Sequence, residues 1–300
     1  MKLRTVIVVP HHSGVANTME CLRSLDQQTD RSFLTVLVQN GSKDPLNDSE
    51  TSSMHNLCEI RIRENSGFTG AVNTGIRYAL NTEAEFIWLV NNDTIVPPNT
   101  LSSLVLAAET HPDHAAFTPL IYQHPSKNVW FAGSSYDENR MFAFHAQTVP
   151  DVIENDVTDI PWSTGCAMFL RRSALGEFAP FDERFFLKWE DVDLSLRLRF
   201  NGWRIGLVWN SALYHKVSRA CPEESPLSIY YDTRNHLLFA KKHAKKRDHK
   251  RTERGIIAYH LLGVLRKYLH GAPFNRTALP CVLGVRDHMR GRYGRMEWVR

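Results

Sequence analysis

Through the first 110 residues, short unbroken runs of apolar, β-branched residues alternate with helix-forming stretches, and that alternation leaves few folds open. Thr5–Val9 is one such run, closed by Pro10, and Leu34–Val38 is a second. Runs of this kind suit strands covered on both faces of a parallel sheet. Asn17–Leu25 has helical character between them, which gives a first strand–helix–strand unit. Glu59–Arg63 reads as a third strand, Gly70–Leu80 as a helix and Phe86–Val90 as a fourth, central strand. Pro98–Glu109 opens on proline and keeps apolar helical spacing. The expectation is an α/β fold: an open, mostly parallel sheet flanked by helices, with ligands bound beyond the carboxyl ends of its strands.

The pattern then changes. Thr118–Gln147 is rich in aromatics, glycine and turn residues and reads as mixed strands and loops. Trp162–Leu170 and Trp203–Trp209 read as further strands, and Tyr230–Lys242 as a helix. Apolar content of 43% and charged content of 23% exclude wholesale disorder. The net charge of +4 conceals an asymmetry, since residues 241–300 carry +12 and the first 240 carry −8. We therefore expect residues 1–220 to form one α/β body and 221–300 a basic helical extension. Such an extension suits an anionic partner or a solvated basic helix. Its basic clusters alternate with apolar segments such as Ile256–Leu265, which fits an anionic membrane surface better than nucleic acid. Val6–Val9 is too short for a signal-peptide core, and no apolar run has the length of a membrane span. Five scattered cysteines without a CxxC pair point to reduced thiols. The expected location is cytoplasmic, with a peripheral place on the inner face of the plasma membrane.

Each of the first four strands ends in polar residues. Pro10, His11 and His12 follow the first; Gln39, Asn40, Gly41, Ser42 and Asp44 follow the second. The segment NSGFTGAVNTG follows the third, with Asn65, Gly67, Gly70, Asn73 and Gly75, and Asn91-Asn92-Asp93 follows the fourth. Singly these are turn signals. Together they converge on one crevice. Asp93 at the rim of the most apolar strand, with neutral oxygen ligands and a diphosphate, suits Mg²⁺ or Mn²⁺, and an Asx turn is the plainer alternative. No GxxxxGK[ST] is present, and no GxGxxG follows the first strand.

Further along, Glu190, Asp191 and Asp193 open a helix that ends near Gly202, with Arg197 and Arg199 in its last turns. One acid would suffice as a cap. Glu190 and Asp191 instead stand side by side after Phe185, Phe186 and Trp189, and a carboxylate held among apolar rings is a candidate general base.

In this order the segments VIVVP, QNGSKD, ENSGFTGAVNTGI, LVNNDT, STGCAMFLRRSAL, FDERFFLKWEDVDLSLRLRFNGW, ALYHKVS and YYDTRNHLLF form a series. Through it the chain resembles the inverting glycosyltransferases of family two, with the GT-A fold, in the bacterial rhamnosyltransferase-like branch. The resemblance runs from Val6 to about Asn235. It implies a nucleoside diphosphate sugar donor, dTDP-L-rhamnose foremost, and a cell-surface polysaccharide or lipid-linked saccharide acceptor. It implies Asp191 as base, with Glu190 beside it touching the acceptor or tuning Asp191. Donor contacts fall on Pro10, His11, Gln39, Asn40, Asn65, Gly67, Gly70, Asn73, Asn91, Asn92 and Arg234, and the metal on Asp93 and His215. Trp162 and Trp189 suit stacking on the acceptor or packing in the core. For Arg234, a bidentate pair with the diphosphate competes with an ordinary helix-surface role.

Two departures stand out. The family usually has Asp where Gln39 stands, and two acids in the metal motif where this chain has Asp93 alone. Alternatives therefore remain: a UDP-sugar transferase for galactofuranose or an N-acetylhexosamine, or a non-catalytic glycosyltransferase-like binding module. A sugar-1-phosphate nucleotidyltransferase would need a Gly-rich, Arg-containing loop after the first strand, and PHHSGVANT does not provide one.

Overall fold

The computed structural model describes residues 2–52, 54, 56–176, 180–217 and 225–296. Its first half follows the expected alternation: β1 (Thr5–His11), α1 (Val15–Asp26), β2 (Phe33–Asn40), α2 (Asp48–Thr51), β3 (Leu57–Ile62), α3 (Gly67–Leu80) and β4 (Phe86–Leu89). Then come β5 (Thr94–Ile95), α4 (Thr100–Thr110), β6 (His114–Gln123), β7 (Val129–Phe131) and the hairpin β8 (Ser134–Asp137) and β9 (Phe142–His145). The body continues with β10 (Val157–Asp159), β11 (Phe169–Arg171), α5 (Arg172–Leu175), α6 (Glu190–Phe200) and β12 (Arg204–His215). Helices α7 (Pro226–His243), α8 (His249–Leu269) and α9 (Ala278–Met289) follow.

The main sheet runs β10-β12-β6-β11-β4-β1-β2-β3. Strands β4, β1, β2 and β3 are parallel neighbours, β12 is parallel to β6, and β11 is inserted antiparallel between β4 and β6. Because β1 sits between β2 and β4, the order reverses there, and the crevice beyond its carboxyl end is where ligands bind in such sheets. Val6–Val9, Val36–Val38 and Phe86–Val90 are all buried, as strands covered on both faces require. Helix α3 lies close enough to β1 that a Cβ on Gly75 would stand 2.2 Å from Val8 Cγ1, so only glycine fits there.

One element differs from expectation. Trp162–Leu170 is a strand only from Phe169 onward. Upstream, the Trp162 amide donates to Ser134 Oγ and the Gly165 amide to the Asp191 carboxylate. Donors spent on side chains cannot join a ladder, and this stretch instead lines a cavity.

The C-terminal helices are not peripheral. Leu237, Leu238, Phe239 and Ala240 of α7 and Ile256 of α8 belong to the same buried apolar cluster as β1 and β4. Ser225 caps α7 by accepting from the Ser228 amide at 3.1 Å. The proposed boundary at residue 220, like Cys221, lies outside the described residues; Cys21, Cys58, Cys166 and Cys281 are free thiols. Among the described residues no helix is long and apolar enough to cross a membrane.

Candidate active site

The acid-opened helix α6 begins from an unusual backbone. Phe186, Lys188 and Trp189 have φ of 64°, 70° and 72°, a left-handed conformation costly for side chains of this size. Two neighbouring elements hold it. From α7, Asn235 Nδ2 donates to the carbonyls of Phe185 (2.7 Å), Leu187 (2.7 Å) and Lys188 (3.1 Å). Arg234 donates to the carbonyls of Arg184, Phe185 and Gly294 and stacks its guanidinium over Tyr231. From α3, Asn73 exchanges hydrogen bonds with the Phe181 backbone in both directions and reaches Glu183. Gly67 (φ +78°) lets the loop approach so closely that a Cβ would lie 2.4 Å from the Phe186 carbonyl oxygen. The distant sequence segments around Asn73 and Asn235 thus share one task, which is to fix the loop that carries the acids.

Those acids face a cavity of about 670 Å³ between the ends of β4 and β12, the β8–β9 hairpin and the start of α6. Of the residues singled out in the sequence, Asn91, Trp162, Trp189, Glu190, Asp191 and His215 line it. Asp191 is oriented by two amides: Gly165 N–H donates to Oδ2 at 3.0 Å and Val192 N–H to Oδ1 at 2.8 Å. Burial raises its pKa, while those amides and the nearby His145 oppose the rise. Glu190 is pushed well above the usual carboxylate range, first by burial and then by the charge of Asp191, and among the described residues its Oε2 is buried without a hydrogen-bond partner. The pair is therefore asymmetric: Glu190 keeps its proton longer, and Asp191 is the carboxylate available to take one.

Asp193 points the other way. It is fully buried against Lys242 Nζ (2.6 Å), His243 Nε2 (2.8 Å) and Arg197 Nε (3.0 Å), tying α6 to α7. Trp189 donates its indole N–H to Asp232 (2.9 Å) and stacks on His236 with ring centroids 4.1 Å apart. The Met141 carbonyl only accepts, so His236 Nε2 carries a proton and Nδ1 accepts from His260. Burial, reinforced by His260, lowers His236 to about 3, so the ring under Trp189 is a neutral aromatic face. Trp162 is almost wholly buried, with its N–H on the Ser135 carbonyl and its ring tilted against His145.

At the far side of the cavity Asp93 Oδ1 lies 3.2 Å from His215 Nε2, both residues nearly buried. Burial disfavours the charged ring, but Cys166 and Asp93 outweigh it and push His215 up to about 10. Among the described residues its Nδ1 is buried without a hydrogen-bond partner. One carboxylate, one imidazole and room for diphosphate oxygens and water form a donor set that fits Mg²⁺ or Mn²⁺. A second His/Asp group, His111, Asp113 and His114, stands at the start of β6, a strand's length away, because β6 and β12 run parallel from His114 and Arg204 to Gln123 and His215. Both His114 ring nitrogens there already meet carboxylates, Asp113 and Asp159.

Several residues assigned to the donor by resemblance are occupied by the fold. His11 bonds Thr18 and the Asp44 carbonyl, and Asn92 bonds Thr18 and the Ser13 carbonyl. Asn40 spans Asn65, Ser66 and the Gly67 carbonyl. Gln39 is buried with its amide nitrogen on Leu46 O and Glu59 and its oxygen accepting from Leu46 N–H. Gly70 lies inside α3, where a Cβ would crowd Ser66, and Pro10 lies within β1 opposite Val38. Arg234 is 1% exposed with its donors on carbonyls, which corrects its expected place on a diphosphate. Asn65 lines a second cavity of about 650 Å³ at the ends of β2 and β3, with His12, Lys43 and Arg63. Trp130, His145 and Asp232 line the cavity that holds Glu190 and Asp191 and were missed; no local pattern marks them, since each comes from a separate element.

A mostly parallel sheet with its order reversed at β1, and two acids and His215 facing one cavity near that reversal, define a GT-A glycosyltransferase. The family model described as glycosyl transferase family 2 matches residues 6–178, and the chain belongs to that family. It is 25% identical over 245 residues to the N-acetylglucosaminyl-diphospho-decaprenol L-rhamnosyltransferase of Mycobacterium tuberculosis, covering 74% of this chain and 80% of that one. Among solved structures, S. aureus TarS 1–349 superposes with a TM-score of 0.57 at 17% identity over 86% of this chain and 71% of TarS. GalNAc-T7 with UDP, GalNAc and Mn²⁺ superposes with a TM-score of 0.62 at 16% identity, covering 78% of this chain but only 47% of GalNAc-T7.

Proposed function

We propose that this glycosyltransferase moves L-rhamnose from dTDP-L-rhamnose to a hydroxyl of a lipid-linked or growing cell-surface saccharide, inverting the anomeric carbon in one displacement. The observation that carries the chemistry is Asp191, held by two backbone amides at the wall of the cavity that also receives Asn91 and His215. Its carboxylate takes the acceptor proton as the acceptor oxygen bonds to the anomeric carbon and the bond from that carbon to the diphosphate oxygen breaks. Proton transfer of this kind contributes about two to four powers of ten in rate. Glu190, retaining its proton beside Asp191, and the flat face of Trp189 suit contacts to the acceptor. Asp93 and His215 would hold a divalent metal, which supplies charge neutralisation on the leaving diphosphate when bound. Asn65, Lys43 and Arg63 suit the nucleotide end of the donor. The basic C-terminal region is assigned to the anionic face of a membrane.

The rhamnosyl assignment rests on the mycobacterial relative. UDP-sugars are the second choice, because TarS has been solved with UDP-GlcNAc and GalNAc-T7 with UDP. Gln39 does not separate the two, since uracil and thymine present the same N3–H. Incubating the protein with dTDP-rhamnose, UDP-galactofuranose and UDP-N-acetylglucosamine and following nucleotide release decides the matter. Release from dTDP-rhamnose alone, dependent on acceptor and divalent metal, is expected. Turnover of a UDP-sugar alone would reassign the donor, and binding without turnover would make the protein a binding module.

A further inference from the structure

Helix α8 buries one side, and the described residues leave its opposite, leucine-lined side uncovered. Thr252, Ile256, His260 and Val264 turn inward, while Leu261, Leu262, Leu265 and Leu269 are 43%, 57%, 50% and 72% exposed. Spacings of three, four and seven put these leucines on one face, beside Tyr268. A lone exposed leucine is ordinary, but a contiguous apolar face marks a contact surface.

Charge says what the face meets. Residues 249–296 carry ten Lys and Arg against two acids. Arg251 occupies the leucine face about three turns before Leu262, and with Arg140, Lys245 and Arg247 it lines a cavity of about 550 Å³, where the acids are Glu138 and Asp248. A cationic pocket at one end of an apolar helical face fits phosphate headgroups above an acyl layer.

The same face connects to the catalytic cavity. Phe142 of β9 packs edge-on against Tyr259 of α8 (centroids 4.6 Å apart) and lies parallel to Phe144 at 6.0 Å. Phe144 is half-exposed and lines the catalytic cavity beside His145 and Trp162. An aromatic track therefore joins the acids to the leucine face.

Resting on the lipid-linked acceptor proposed above, we infer that the outer face of α8 docks on an anionic bilayer. Arg140, Lys245, Arg247 and Arg251 engage the headgroups, Leu261, Leu262, Leu265 and Leu269 enter the acyl boundary, and Phe144, Phe142 and Tyr259 guide the acceptor lipid toward Asp191.

The full chain is to be floated with vesicles of phosphatidylcholine alone or with one third phosphatidylglycerol, as wild type, as Leu262→Glu/Leu265→Glu/Leu269→Glu and as Arg247→Ala/Arg251→Ala. Transfer is read in parallel to the saccharide on a short, water-soluble chain and on a long lipid in the vesicles. Wild type should bind the anionic vesicles only, less so in high salt. The leucine variant should lose roughly tenfold or more in binding, keep its melting temperature and its transfer to the soluble acceptor, and lose transfer to the long lipid. The arginine variant should lose the anionic preference. Wild type that ignores anionic vesicles, or a leucine variant that binds them undiminished, overturns docking. So does a wild-type dimer that the leucine variant dissolves without any vesicle binding, which would give the face to a second copy. If binding behaves as expected but wild type glycosylates neither acceptor, docking stands and the acceptor assignment fails.

Discussion

At Asp191 the proposed chemistry comes down to where one proton resides. Its neighbour Glu190 is the more strongly raised of the two, so Asp191 is the first of the pair to ionise as pH rises. Asp191→Asn is expected to lower kcat by about two to four powers of ten while donor binding, read by thermal shift, persists. Unimpaired turnover would remove Asp191 as base. Glu190→Gln replaces the acid that holds its proton more tightly by a neutral amide of the same shape and is expected to lose far less. A base with a raised pKa is protonated, and inactive, over more of the acid range, so the acid limb of the kcat profile should lie above ordinary carboxylate values. A limb near pH 4 in wild type would contradict the raised Asp191. The acids were legible in the sequence because two adjacent carboxylates after an aromatic run exceed what a helix cap needs. Arg234 was not legible. An arginine three residues past a tyrosine pair says nothing of carbonyls some 50 residues away, and those take its donors.

Among the elements, α3 and α7 act as clamps on one left-handed loop. Asn235→Ala would leave the Phe185, Leu187 and Lys188 carbonyls short of a donor. The cost should be about 1–3 kcal/mol, seen as a lower melting temperature, with kcat falling more than donor affinity because α6 loses its aim. Equal loss in both would mean the clamp serves the fold alone. At Gly75, alanine would press on Val8, and overpacking of that kind costs about 1–3 kcal/mol. The four parallel strands and their helices were readable because both strand faces are buried, which forces unbroken apolar runs. Residues 162–168 were misread for the same reason. They are buried, and the Trp162 and Gly165 amides are taken by Ser134 and Asp191, although the Cys166 and Met168 carbonyls still accept from Asn91 and Leu89. Composition cannot report a bond between residues 26 apart.

For the molecule as a whole, the junction of body and C-terminal helices runs through Asp193. Burial works against its carboxylate, but His243, Arg197 and Lys242 hold its pKa below the usual value. A depressed carboxylate stabilises the folded state above its unfolded pKa, and that stabilisation is lost as pH falls through the acid range. Asp193→Asn leaves Lys242 and Arg197 partly unmatched and is expected to cost about 3–5 kcal/mol. The variant's stability, measured by urea unfolding at successive pH values, should also fall less on acidification than that of wild type. Parallel curves would show that the cluster contributes nothing to acid sensitivity. The bonds from Arg234 and Asn235 to the loop before α6, and from Arg234 to the Gly294 carbonyl, carry a consequence for biogenesis. During translation the sheet is complete by His215, yet the braces on the base lie downstream of it. Nascent chains stalled after the sheet has emerged should therefore remain inert toward donor sugar, and turnover should begin only once Gly294 has cleared the ribosome.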